Sequence, residues 1–187
     1  MVPKDEDELA DMMQTALEHN GPSAIRYPRG TGPGVTVKPE PVALPIGKAE
    51  VIREGDEIAI LGLGALLPMA AELGDTLERD GRSVALVNPR FVKPLDREML
   101  SRYARKVQAF VTFEDHVLMG GFGSAVLEAL SEMGFHTPVV RIGWPDRFIE
   151  HGKVEALRAK HGISVEAALE KLEPLLHRSP KRRLVAR

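Results

Sequence analysis

Apolar positions first recur at helical spacing near the start of the chain. Leu9, Met12, Met13, Ala16 and Leu17 share a face; Asp5 and Glu8 stand ahead of them in capping-box spacing, and Asn20-Gly21 closes the run. Residues 23–27 read as a short strand, which runs into PRGTGPG, a stretch that no regular element holds. Pro39, Pro41 and Pro45 then predict an extended linker.

A second pattern begins at Gly47. AEVIREG and EIAILGLG read as two strands, and Glu54-Gly55-Asp56 between them is a hairpin signal. A helix over 67–80, the strand SVALVN, a helix over 97–105 and the strand QAFVTFE follow. Gly-rich MGGFGS opens a third helix, with Phe122, Ala125, Val126, Ala129, Leu130 and Met133 on one face. The strand PVVRIG and helical stretches over 154–161 and 165–172, ended by Pro174, complete the chain. Strands alternating with helices of this length predict an α/β fold: a mostly parallel sheet flanked by helices, with an antiparallel strand at one edge.

The division is unequal. Residues 47–176 can form a complete α/β domain, whereas one helix and one strand in 1–36 are too little to bury a core. Residues 1–36 therefore read as the end of a preceding domain, 37–46 as a linker and 177–187 as a basic, frayed tail.

Composition narrows the function classes. None of the 187 residues is Cys, which excludes a disulfide framework, a Cys-ligated metal site and a thiol nucleophile. No apolar run approaches the ~20 residues that cross a bilayer. The amino terminus is acidic from residue 5, the opposite of a signal or transit peptide, so a cytoplasmic protein is expected. The net charge of −2 conceals five basic residues and no acid in 177–187, leaving 20 basic against 27 acidic residues elsewhere. An acidic body is unsuited to a phosphate backbone, and neither nucleic acid nor membrane is an expected partner.

Several stretches can carry chemistry. Arg29, in Arg26-Tyr27-Pro28-Arg29-Gly30, follows a strand end, where a guanidinium presents a fork to phosphate or carboxylate; the alternative is a surface arginine beside a turn. Gly62 and Gly64 open a helix but lack the third glycine of a dinucleotide fingerprint, and Pro68 favours a packing turn. Gly120-Gly121-Phe122-Gly123-Ser124 offers free amides to an anion, or else a close packing turn or a subunit contact. Glu114, Asp115 and His116 stand at a strand's carboxyl end, although adjacent strand residues face opposite ways. His116 and His151 with Asp146 and Glu150 lack metal-site spacing and read better as caps and salt bridges. RFVKPLD, residues 90–96, reads as structural.

In order along the chain, GPSAIRYPRG, LPIGKAEV, NPRFVKPLD, TFEDHVLMGGFGSAVLE and IGWPDRFIEHG resemble the carboxyl-terminal part of the 1-deoxy-D-xylulose-5-phosphate synthase family, over roughly 2–172. The resemblance implies a thiamine-diphosphate- and Mg²⁺-dependent transferase of the transketolase type, with three α/β domains, acting as a homodimer. Such enzymes join pyruvate to D-glyceraldehyde 3-phosphate, release carbon dioxide and form 1-deoxy-D-xylulose 5-phosphate for isoprenoid, thiamine and pyridoxal synthesis. The family's YPRG arginine contacts the substrate phosphate, which assigns that role to Arg29, with Tyr27, Pro28 and Gly30 shaping the loop.

The family's GDG motif with its following asparagine, its cofactor-activating glutamate and its proton-handling histidines have no counterpart in these residues. The resemblance thus implies the last third of a synthase: the end of the pyrimidine-binding domain plus the third domain, with Met1 matching an internal position. It assigns no catalytic, cofactor-binding or metal residue to this chain. Cofactor is expected only in the complete enzyme, with the amino-terminal and middle domains as partners. The alternatives are the small subunit of a split transketolase-like enzyme and a non-catalytic dimerisation module.

Overall fold

The computed structural model describes residues 1–176, so the basic tail lies outside the described residues. After α1 (Glu6–Glu18), the elements are β1 (Glu50–Arg53), β2 (Ile58–Gly62), a 3₁₀ turn (Gly64–Leu66), α2 (Leu67–Arg79), β3 (Val84–Asn88), α3 (Arg97–Ala104), β4 (Ala109–Val117), α4 (Phe122–Glu132), β5 (Val139–Trp144), α5 (Val154–Lys160) and α6 (Val165–Leu176). Five strands form one sheet in the order β1-β3-β2-β4-β5. Only the β1–β3 pair is antiparallel.

Strands β2 and β3, IAILG and VALVN, are buried along their whole length, as a parallel sheet covered on both faces requires. Their side chains alternate between two cores. Ile58, Ile60, Val84 and Leu86 meet Leu73 and Leu77 of α2 and Ala168 and Leu172 of α6. Ala59, Leu61, Ala85 and Val87 meet Leu100 and Tyr103 of α3 and Phe122 and Val126 of α4. The α/β architecture expected for the second half of the chain is therefore present, with its antiparallel edge strand.

Four expectations fail in detail. The hairpin does not form: β1 pairs with β3, placing Glu50 opposite Asn88, while β2 lies between β3 and β4. Strand β2, buried on both faces, takes a parallel neighbour on each edge, so the chain passes under the start of β3 to reach it. Gly55 permits the crossing, since a Cβ there would stand 2.2 Å from the Val84 carbonyl carbon.

Residues 23–27 form no strand; the Met1 ammonium donates to the Ala24 carbonyl (2.7 Å) and the Arg26 amide to the Met1 carbonyl (2.9 Å), too short a ladder for one. Pro174 does not end the last helix, which runs to Leu176 with that side chain buried. A proline inside a helix forfeits one backbone hydrogen bond, and the buried Leu176 beyond it offsets the loss.

The fourth concerns which side of α1 faces inward. Asp5 caps the helix as expected, accepting from the Glu8 amide (2.8 Å). The buried side is Glu8, Asp11, Met12 and Thr15, however, while Met13 and Leu17 are 56% and 82% exposed. The proline-rich segment lies along this polar side. Asp7 accepts from the Lys38 amide (2.8 Å), Asp11 from the Val42 amide (2.7 Å) and Thr15 Oγ1 from the Leu44 amide (2.7 Å). The Lys38 ammonium joins Asp7 and Asp11 at 2.7 Å each. Side-chain acceptors thus stand in for the sheet ladder that an extended segment lacks.

Candidate functional site

The carboxyl ends of β4 and β5 gather most of the residues singled out above. Glu114 is fully buried, and its two oxygens accept from the Phe122 amide (2.6 Å) and the Gly123 amide (2.8 Å), the first turn of α4. The anion at this helix start is therefore a side chain of the protein itself, held by free amides and the helix dipole. Burial pushes the Glu114 carboxyl up from its ordinary value, against the opposing pull of both amides, His116 and Arg141. Glycine is needed at 121, because a Cβ there would stand 2.2 Å from Glu114 Oε2 and 2.2 Å from the Val117 carbonyl. Arg141 Nη1 binds the Leu118 carbonyl (3.0 Å) and Ser124 Oγ (2.9 Å), closing the loop above it.

Asp115 turns the other way, as strand alternation predicts. Its carboxylate accepts from Trp144 Nε1 (2.7 Å) and Arg158 Nη2 (2.9 Å), joining β4 to β5 and α5. Its main-chain carbonyl accepts from Arg26 Nη2. His116 is exposed, and so are His151 and Asp146. Glu150 pairs with Lys160 and His161; the Lys160 bond first, then its own backbone amide and His161, hold its carboxyl at about 2. Among the described residues no three His, Asp or Glu side chains could hold a metal ion. The four candidates for such a site are not brought together.

The RYPRG turn is at the surface. Tyr27 is 63% exposed, and Pro28, Arg29 and Gly30 are exposed too. The Arg29 guanidinium pairs with no carboxylate among the described residues, leaving its fork free for an anion. The Gly62–Pro68 stretch is a packing turn: Pro68 sits in the first turn of α2, and Val2 packs over Gly64.

RFVKPLD has a larger part than its spacing implied. Arg90 lies in the left-handed region (φ 61°) and sends Nε to Glu8 Oε1 (2.7 Å) and Nη2 to Glu50 (3.3 Å). Glu8, 2% exposed, also accepts from the Lys4 amide (2.8 Å), Lys4 Nζ (3.3 Å) and Asn88 Nδ2 (2.8 Å). This cluster ties the first helix to the β1–β3 edge. Sequence reasoning assigned Glu8 to a capping box; instead of the cap residue's amide it takes that of Lys4, and nothing local marked Arg90 as its partner. Asp96 caps α3 through the Met99 amide (2.9 Å) and takes the Ala49 amide (3.0 Å).

The family model described as "Transketolase, C-terminal domain" matches residues 47–167. The chain is 70% identical over 179 residues to a 1-deoxy-D-xylulose-5-phosphate synthase of Acidobacterium capsulatum, covering 96% of this chain and 28% of that protein. To the synthase of Methylacidiphilum infernorum it is 61% identical over 170 residues, covering 91% and 27%. The chain thus spans just over a quarter of the length of the curated relatives it matches. Among solved structures it resembles a split-gene transketolase described as an inactive β4 tetramer, with TM-score 0.81 and 34% identity, covering 94% of this chain and 56% of that one. A transketolase from Campylobacter jejuni, 20% identical with TM-score 0.65 over 92% of this chain and 25% of its own, shares the fold.

Proposed function

The chain belongs to the transketolase C-terminal domain family, and from that premise we propose that it is the carboxyl-terminal portion of a 1-deoxy-D-xylulose-5-phosphate synthase. The observation that carries this reading is the 70% identity along 96% of the chain, confined to a carboxyl-terminal segment of the relative. On this reading residues 1–36 end the pyrimidine-binding domain, 37–46 link it to the third domain at 47–176, and 177–187 form a tail. The complete enzyme is a cytoplasmic homodimer that condenses pyruvate with D-glyceraldehyde 3-phosphate, yielding 1-deoxy-D-xylulose 5-phosphate and carbon dioxide for isoprenoid and thiamine synthesis.

In that reaction Arg29 holds the phosphate of the aldehyde substrate. A guanidinium donates two parallel charge-assisted hydrogen bonds to phosphate oxygens, which orients as well as binds. Tyr27, Pro28 and Gly30 set the course of the loop. Thiamine diphosphate would supply the carbanion chemistry in the complete enzyme. One place in this chain that could take a diphosphate, the free amides that open α4, is already filled by Glu114. On this reading, binding and activating the cofactor fall to the amino-terminal and middle domains.

The test is a chimera in which this chain replaces the matching part of the Acidobacterium capsulatum synthase. A folded chimera forms product from pyruvate and D-glyceraldehyde 3-phosphate, while this chain alone forms none; a folded, inactive chimera overturns the reading. The likeness to a split-gene transketolase favours a second reading, a small subunit acting with a separate chain. Under it, co-expression with the amino-terminal part of the relative restores product formation without a covalent join.

A further inference from the structure

Arg29 sits in the longest stretch between regular elements, from the end of α1 at Glu18 to the start of β1 at Glu50. A turn that must present a guanidinium accurately needs anchors from elsewhere. On its amino side the backbone is held by the Arg26 amide on the Met1 carbonyl (2.9 Å). On its carboxyl side the Gly34 amide donates to Glu6 Oε1 (2.9 Å). That bond is the main reason why the Glu6 carboxyl lies below its ordinary value.

The third anchor reaches across the molecule. Arg26 Nη2 donates to the Asp115 carbonyl, at the carboxyl end of β4. That peptide is itself immobilised, because the Asp115 carboxylate is held from β5 by Trp144 Nε1 (2.7 Å) and from α5 by Arg158 Nη2 (2.9 Å). Arg29 is three residues beyond Arg26, so this guanidinium references its fork directly to the carboxyl edge of the sheet.

We infer that Arg26 is a positioning residue for phosphate recognition: through the Asp115 carbonyl it fixes the turn that carries Arg29 against the carboxyl edge of the sheet. The inference rests on the reading of Arg29 as the phosphate contact. Bidentate recognition depends on angle and distance, so a released turn weakens phosphate binding while leaving the chemistry of the bound complex intact.

The chimeric synthase described above tests it, with D-glyceraldehyde 3-phosphate and unphosphorylated D-glyceraldehyde as alternative acceptors. Arg26→Ala raises KM for the phosphorylated aldehyde about ten-fold, keeps kcat within about two-fold and leaves kcat/KM for the unphosphorylated one unchanged. Arg26→Lys, which retains a donor for the carbonyl, recovers part of the loss. In the double variant with Arg29→Ala, Arg26→Ala adds less than about two-fold, because the two residues act as one unit. Equal losses on both aldehydes, or full additivity with Arg29→Ala, overturn the inference.

Should Arg29→Ala treat both aldehydes alike, the phosphate reading falls and takes this inference with it. If Arg29→Ala discriminates and Arg26→Ala does not, only the inference falls. An independent readout uses this chain alone: Arg26→Ala speeds hydrogen exchange at the two hydrogen-bonded amides that flank the turn, those of residue 26 and Gly34, and leaves β4 unchanged. Unaltered exchange at both amides also overturns it.

Discussion

Glu114 and Gly121 are fitted to each other, and each can be tested through the other. The carboxylate occupies the space a Cβ at 121 would need, 2.2 Å from that position. Gly121→Ala therefore displaces the carboxylate or opens the start of α4, an overpacking cost of about 3 kcal/mol, measurable by urea unfolding. A cost below about 0.5 kcal/mol means that the loop relaxes and the fit is loose. The carboxyl also gives a pH signature. Its value is raised in the folded chain above the ordinary 4.5, so the folded state binds the proton more tightly. The stability from that proton is full below the ordinary value and is lost as pH rises through the raised one. Wild type should accordingly lose stability relative to Glu114→Gln across this window, with parallel denaturation curves at successive pH values as the check. A constant difference contradicts the assignment.

At the scale of elements, local periodicity made the alternation from β2 to α6 legible, because each helix and strand there turns its apolar residues toward one sheet. The α1 helix shows the limit of that signal. The same repeat of Leu9, Met12, Met13, Ala16 and Leu17 is present, but spacing reports which residues share a face and not what covers it. Here the covering segment is an extended strand-like stretch whose amides require acceptors, so Asp11 and Thr15 are the residues buried. Strand β1 was legible as an element, while its partner depended on which strand needed two neighbours. Glu114 and the GGFGS loop were each legible as candidates; that one fills the other follows only from the close approach of β4 and α4. For Thr15 the consequence is direct. Thr15→Val keeps the shape of the side chain but strands the Leu44 amide, costing about 2 kcal/mol and accelerating hydrogen exchange at Leu44. If Thr15→Val leaves that amide as protected as before, the helix does not hold the segment through this bond.

For the whole molecule, the question is whether residues 1–46 fold with the sheet or merely trail from it. Besides the surface link from Arg26 to the Asp115 carbonyl, two buried features join them. Val2 is buried beside Ala59, Leu61 and Leu63 and donates its amide to the Arg90 carbonyl (2.9 Å), so the first residues belong to one of the two cores. Beside it, Glu8 gathers Lys4, Asn88 and Arg90 in a site that is 2% exposed at the carboxylate. Breaking such a group from one side leaves its partners without their counter-charge, which costs more than the intact group contributes. Glu8→Ala should therefore destabilise the folded chain by about 3 kcal/mol, and most of that loss should fall on the junction. Limited proteolysis separates this from a general weakening. In the variant, cleavage within 19–46 comes early and leaves a resistant product containing β1 to α6, whereas wild type loses both parts together. Simultaneous loss in the variant as well would mean that the remaining contacts, those of Val2 and the Arg26–Asp115 link, suffice to couple the two parts. The charged cluster would then set the orientation of α1 and contribute little to holding it there.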